Sequence, residues 1–352
     1  MNLLKYIGMD VHKATTVIAV LSAQGKVVQE TIIETKAEAI LDFIKGQRGT
    51  LQVAFEEGTQ AAWLYDLIQP YVASVVVCDP KKIAGQGRKA DKPDAKRLAE
   101  LLRTNSLSPV YRGERSTRAL KELAQSYVGI VGDCTRVKNR LKALFRGRGI
   151  NCDGSSVYNE EGREEWLAKL DGAAVRVRAD RLWEELKCLM PLSEKAEEEL
   201  VAEARKHAAT KIFCSVPGIG PVRAAIILGV AGTAHRFRTK RQFWAYIGLG
   251  VVTKTSSEYA VVDGQIRRSN KRPMVRGLNR NYNRALKWVF KGAAKTVASG
   301  SWKSEFQAMI AQGTPEYLVR LTLARKIASI TLALWKKGER YDEKKMKFKH
   351  AA

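Results

Sequence analysis

Four carboxylates sit where chemistry is possible. Asp10 closes the apolar run that begins at Leu3, and Glu56 ends another in Val53-Ala54-Phe55-Glu56-Glu57-Gly58. Asp91 and Asp94 stand three apart in Ala90-Asp91-Lys92-Pro93-Asp94-Ala95. Period-two alternation puts Asp10 on the face of Tyr6 and Gly8, and a spacing of three at a helix start puts Asp91 and Asp94 on one face. Carboxylates gathered at one point repel each other unless a divalent cation neutralises them. Mg²⁺ held by Asp10, Glu56, Asp91 and Asp94 would be suited to activating an attacking oxygen and stabilising a leaving one at a phosphodiester. Singly, each acid has a plainer reading: a turn residue at Asp10, a solvated strand end at Glu56 or Glu57, an N-cap and a first-turn acid at Asp91 and Asp94. Their joint placement is what points to metal chemistry. Alternation gives Glu56 and Glu57 opposite faces, and Glu57 adjoins the turn at Gly58, so Glu56 is preferred.

The elements that must position these acids read as three strands joined by short turns, over 5–11, 15–21 and 27–33. They are followed by a helix over 37–45, a strand over 51–55, a helix over 61–68, a Val-rich strand over 73–78 and a helix over 93–102. A meander leading into alternating strands and helices is the order of an RNase H-like α/β domain. If the first and fourth strands are neighbours and the last helix crosses them, all four acids converge.

The chain of 352 residues carries 61 Lys plus Arg against 36 Asp plus Glu, a net charge of +25 with 45% hydrophobic content. That is a folded protein with a cationic surface, and it favours a polyanionic partner over a small-molecule substrate. The five cysteines are scattered, with no disulfide or zinc pattern. No signal-peptide core or membrane span is apparent, so a reducing, cytoplasmic setting is expected.

Beyond the α/β region, apolar residues recur at helical spacing over 116–145, with a cationic end. Residues 151–161 read as a linker, and a second helical stretch covers 164–206; together these suggest a helical arm or coiled coil that joins subunits. Val216-Pro217-Gly218-Ile219-Gly220 opens an apolar helix. It is similar to a helix-hairpin-helix turn, in which Gly218 and Gly220 would let backbone N–H groups approach a phosphate; a plain tight turn is the alternative. Residues 237–249 read as aromatic core. Arg267, Arg268, Lys271, Arg272, Arg276, Arg280 and Arg284 follow, then Lys287, Lys291 and Lys295, with no acid among them. This run is assigned to a nucleic-acid backbone. A closing amphipathic helix over 317–337 should pack back on this part.

Several of these segments together resemble the DEDD transposases of the insertion sequence 110 family, which includes Piv/MooV-type invertases. They are Gly8-Met9-Asp10-Val11-His12-Lys13, Phe55-Glu56-Glu57-Gly58-Thr59, Asp91-Lys92-Pro93-Asp94-Ala95-Lys96-Arg97-Leu98-Ala99, Val216-Pro217-Gly218-Ile219-Gly220, Gln242-Phe243-Trp244-Ala245-Tyr246-Ile247-Gly248-Leu249 and the basic residues 269–284. The resemblance implies a RuvC-like domain (1–105) with Asp10, Glu56, Asp91 and Asp94 on Mg²⁺ and a C-terminal transposase domain (209–345), with the helical or coiled-coil arm read above (106–208) between them. It also implies a serine nucleophile, best matched by Ser256 with Ser257 as its rival, since the chain lacks the family's Pro and Gly around this point. Further implications are donor and target DNA, a noncoding bridge RNA, and a composite site built in a dimer or tetramer. The same acids without the serine would make a RuvC-like structure-specific nuclease, and the basic surface alone a non-catalytic nucleic-acid-binding protein.

Overall fold

Alternating apolar side chains draw Leu4–Val11 (β1), Thr15–Ser22 (β2) and Val27–Glu34 (β3) into an antiparallel meander. Thr50–Glu56 (β4) then pairs with β1, and Ser74–Cys78 (β5) with β4, both in parallel. The five-stranded mixed sheet runs in the order β3-β2-β1-β4-β5. The computed structural model describes residues 3–79, 95–111, 117–254, 259–268 and 274–345, with side chains described except at 253, 254, 260, 268 and 274–276. It divides into two compact units, residues 1–112 and 113–352.

Parallel pairing of β4 and β5 requires crossovers, supplied by helices. Ala37–Gly46 (α1) and Ala61–Ile68 (α2) bury Ile40, Ile44, Leu64 and Ile68 in one core with Ile7, Met9, Val53 and Phe55 of the sheet. The opposite face has small residues at its centre. Ala19, Gly8 and Ala54 lie in register across β2, β1 and β4, a flat floor on which Ala95–Arg103 (α3) lies. The approach is so close that a Cβ on Gly8 would stand 1.9 Å from the Ala95 carbonyl oxygen and 2.6 Å from the Ala99 nitrogen. Ala95, Leu98, Ala99 and Leu102 form the buried stripe of α3.

The second unit opens with two long helices, Arg118–Arg146 (α4) and Ala173–Arg205 (α6), separated by the short helix Arg163–Ala168 (α5). Tyr127 meets Glu197, Arg140 meets Glu185 and Phe145 meets Trp183, so the long pair is antiparallel. Residues 151–161 depart from the linker reading. Cys152 and Val157 are fully buried at the tip of the pair, and the Trp183 indole N–H donates to the Val157 carbonyl at 3.0 Å. The glycines and polar residues there mark turns, with positive φ at Gly149 and Gly154, and turn chemistry is not the same as exposure. Arg163 fastens the tip. Its guanidinium reaches Glu184 at 2.8 Å and Glu160 at 3.2 Å, pairs with Asp180, and lies over the Trp183 ring.

The other end of the pair belongs to a larger core. Leu120, Ala124, Leu200 and Ala204 are buried together with residues of Ala208–Cys214 (α7), Pro221–Ala231 (α8), Lys240–Tyr246 (α9), Arg284–Ser299 (α10) and Glu316–Lys337 (α12); Lys303–Ala311 (α11) packs alongside. The expectation of a mainly helical C-terminal part needs an addition where periodicity fades. Val251–Lys254 (β6) pairs with Met274–Leu278 (β9), and Tyr259–Val262 (β7) with Gln265–Arg268 (β8), both antiparallel. Asp263 and Gly264 both have positive φ, 52° and 75°, as a two-residue hairpin turn requires. No described helix is long and apolar enough to cross a membrane.

Candidate metal and nucleic-acid sites

Asp10 and Glu56 each follow the last residue of the β1–β4 register, Met9 opposite Phe55. They therefore occupy neighbouring positions at the carboxyl ends of parallel strands, whose backbones run about 4.8 Å apart. Both alternate onto the Gly8–Ala54 face, the one covered by α3. Asp10 is 27% exposed in its side chain and Glu56 is half-buried, whereas Glu57 is exposed and its N–H continues the ladder to the Cys78 carbonyl at 2.8 Å.

A histidine of the Gly8-to-Lys13 segment, given no role above, joins this pair. His12 Nε2 lies 3.2 Å from Asp10 Oδ2. Its backbone is held by a short relay: the Thr35 hydroxyl donates to the His12 carbonyl at 2.9 Å and shares a 2.8 Å hydrogen bond with the buried Thr16 hydroxyl. The Asp-x-His spacing, with Asp10 in β1 and His12 just past its end, was the available signal. Cys78 is the strand partner of Glu56 and donates its S–H to the Phe55 carbonyl at 3.3 Å. Burial, followed by the nearby Glu56 charge, pushes its thiol up to about 12. Beside Glu56 opens a pocket of about 390 Å³ lined among others by Val11, Lys13, Phe55, Thr59 and Gln60.

Asp91 and Asp94 lie outside the described residues, as does Ser256 with its rival Ser257. Among the described residues no group of three His, Cys, Asp or Glu surrounds a cation site. The donor chemistry of Asp10 and Glu56, carboxylate oxygen, nevertheless fits a hard divalent cation.

In the second unit the two glycines of the Pro-Gly-Ile-Gly turn differ in role. Gly218, at φ +79°, is pressed on α10: a Cβ there would stand 2.7 Å from the Ala293 carbonyl oxygen. Gly220 is exposed at the N-cap of α8, with open space around it. The chain then reaches Gly248, whose α-carbon the Tyr282 ring covers, and the buried Leu249, whose carbonyl accepts from Arg325 Nε at 2.8 Å. Arg325 is thus a further residue not foreseen, holding the carbonyl of Leu249, two residues before β6 and seven before Ser256. Of the basic run, Arg267 and Arg268 are on β8, Arg276 on β9, and Arg280 and Arg284 are exposed just before and at the start of α10. Lys271 and Arg272 lie outside the described residues.

An α/β unit with carboxylates at adjacent strand ends is joined in one chain to a basic helical unit, a combination suited to a protein that acts on a polyanion. Comparison with known proteins gives the family. Residues 7–148 match the DEDD transposase family of insertion sequence 110, described as Transposase, and residues 210–311 match the Transposase IS116/IS110/IS902 family. A probable family 20 transposase of Pseudomonas aeruginosa is 26% identical over 71% of this chain and 72% of its own length. The transposase for insertion sequence element IS1533 of Leptospira borgpetersenii is 28% identical over 47% of this chain and 50% of its own. A Sinorhizobium fredii protein named as transposase y4qE is 22% identical over 94% and 88%. The chain belongs to the IS110 family of transposases, enzymes that act on DNA.

Proposed function

We propose that this transposase cuts and rejoins DNA strands through a serine nucleophile, with a divalent cation, Mg²⁺, held by Asp10, Glu56, Asp91 and Asp94 of an RNase H-like, RuvC-like domain. The observation that carries the reading is the placement of Asp10 and Glu56 side by side at parallel strand ends, on the face that α3 covers. The strand order β3-β2-β1-β4-β5 supports the RNase H-like assignment. Ala95 rests over Gly8, two residues from Asp10; Asp91 and Asp94, which precede Ala95 in the sequence, are proposed as the remaining ligands. When bound, the cation would supply Lewis acidity toward a phosphate oxygen and its departing alkoxide.

The chain's own residues do the rest. The Ser256 oxygen forms a bond to phosphorus as the DNA P–O bond breaks; its proton leaves to solvent or a neighbouring base, and the displaced strand carries away a hydroxyl end. Rejoining is the reverse, with a strand hydroxyl displacing the serine. Arg325 anchors the Leu249 carbonyl on the approach to β6, in the stretch of sequence before this serine. The arm over 106–208 and the transposase part over 209–345 provide the binding surface. Gly220 and the helix-hairpin-helix-like turn, with Arg267, Arg268, Lys271, Arg272, Arg276, Arg280 and Arg284, contact the phosphate backbone. A bridge RNA and a dimer or tetramer complete the reading.

The test is to trap a covalent protein–DNA adduct under denaturing conditions. We expect it from the wild type and from Ser257→Ala, and not from Ser256→Ala or Asp10→Asn. DNA cleavage that survives Ser256→Ala without any adduct would mean a RuvC-like nuclease instead.

A further inference from the structure

Helix α10 is amphipathic, and its outer face is unusual. Leu286, Val289, Phe290, Ala293, Ala294 and Val297 form the buried side. Arg284, Trp288, Lys291 and Lys295 are all exposed, and at 3.6 residues per turn they fall within about 60° of arc, on a stripe about 16 Å long. Lys287 stands beside them, its ammonium 4.0 Å from the Tyr282 ring centroid. Trp288, 52% exposed, is therefore a large flat apolar surface left in water in the middle of a cationic row. No acid occurs between Gly264 and Ser304 to neutralise it.

Two classes of partner would cover an exposed tryptophan. At a protein interface it would be an anchor, but such interfaces are depleted in lysine, and this stripe has Lys291 and Lys295 flanking the indole. Single-stranded nucleic acid wants this combination: cations that follow the phosphates and an aromatic plane on which an unpaired base stacks. A paired duplex keeps its base faces hidden within its own stack.

We propose that Trp288 is a stacking platform for an unpaired base of single-stranded DNA, with Arg284, Lys291 and Lys295 on the adjoining phosphates. The choice of DNA rests on the strand-exchange reading above, because cutting and rejoining strands exposes unpaired nucleotides. The surface differs from the metal site and from the serine segment, and its work is to hold a separated strand.

The experiment measures binding of the full-length protein to fluorescent oligothymidylate, to oligouridylate of the same length and to a blunt DNA duplex, across a salt series. Trp288→Ala is expected to weaken oligothymidylate binding about tenfold, the scale of one lost stacking contact. The salt slope should stay unchanged and duplex binding should stay within about twofold, while Trp288→Phe restores most of the affinity. The triple variant Arg284→Ala, Lys291→Ala, Lys295→Ala should instead flatten the salt slope by about 2.

The proposal is overturned if Trp288→Ala leaves oligothymidylate affinity intact, if it weakens duplex binding equally, or if oligouridylate is affected more than oligothymidylate, which would assign the face to RNA. A thermal midpoint lowered equally in Trp288→Ala and Trp288→Phe, with equal losses of binding, would assign the residue to packing and overturn it as well. If the wild type binds no DNA of any kind, the strand-exchange reading falls with it; if it binds DNA and ignores Trp288, this inference alone falls.

Discussion

Asp10 and Glu56 differ from Glu57 by position on a strand, not by chemistry, and substitution should separate them. Asp10→Asn and Glu56→Gln, nearly isosteric changes that remove a donor charge, are expected to lower strand cleavage by at least about 100-fold. Glu57→Gln, at an exposed position, should stay within about twofold, as read by cleavage rates over a Mg²⁺ titration. The preference for Glu56 could be read from alternation alone, whereas the neighbourhood of His12 and Cys78 depends on a hairpin and a parallel pairing that bring distant residues together. Cys78 offers a separate check. With its thiol pushed up to about 12 by burial and by Glu56, it carries almost no thiolate at pH 8 and should resist alkylation, while the exposed Cys188 reacts first. Mass mapping after a timed iodoacetamide pulse decides this. The raised value also ties folding to pH. The folded state keeps the proton that the unfolded thiol loses near the ordinary thiol value of 9.0, so the contribution is full below pH 9 and is lost as pH rises from about 9 to about 12.

At the level of elements, caps and close approaches decide more than propensity. Helix α10 begins at Asn283, whose Oδ1 accepts from the Leu286 N–H at 3.0 Å. Asn283→Ala should cost about 1 kcal/mol in denaturant-induced unfolding. The tip of the α4–α6 pair depends on Arg163, whose side chain is only 13% exposed and serves three carboxylates. Arg163→Met keeps most of the packing and loses the charged hydrogen bonds, so about 2 kcal/mol of destabilisation is expected in the same measurement. The strands, the helices and the one-sided basic run were legible because their periods and charges are local. The β7–β8 hairpin was legible only in its Asp263-Gly264 turn, since four-residue strands are too short to establish alternation. Buried Cys152 and Val157 show the converse failure, because a Gly- and Ser-rich stretch looks solvent-exposed until a tryptophan indole is found bonded to its backbone.

For the whole molecule, the two units have separate cores. The sheet closes on α1 and α2, while the second unit gathers its helices into clusters of its own. Two heat-absorption peaks are expected in calorimetry, and DNA should raise the peak of the second unit, which carries the acid-free basic run, more strongly. The charge of +25 announced the polyanion, yet not how the charge is arranged, because the burial that sorts Arg284, Trp288, Lys291 and Lys295 onto one outward stripe is a property of the packed helix. The floor formed by Ala19, Gly8 and Ala54 has a consequence for heredity. To anyone comparing genomes, Gly8→Ala is the mildest of exchanges, one methyl group on a residue without chemistry. Here that methyl would run into the backbone of the overlying helix, so a copy of the gene reading alanine at position 8 is expected to lose the seating of that helix, and transposition with it, although no charged or hydroxyl side chain has changed.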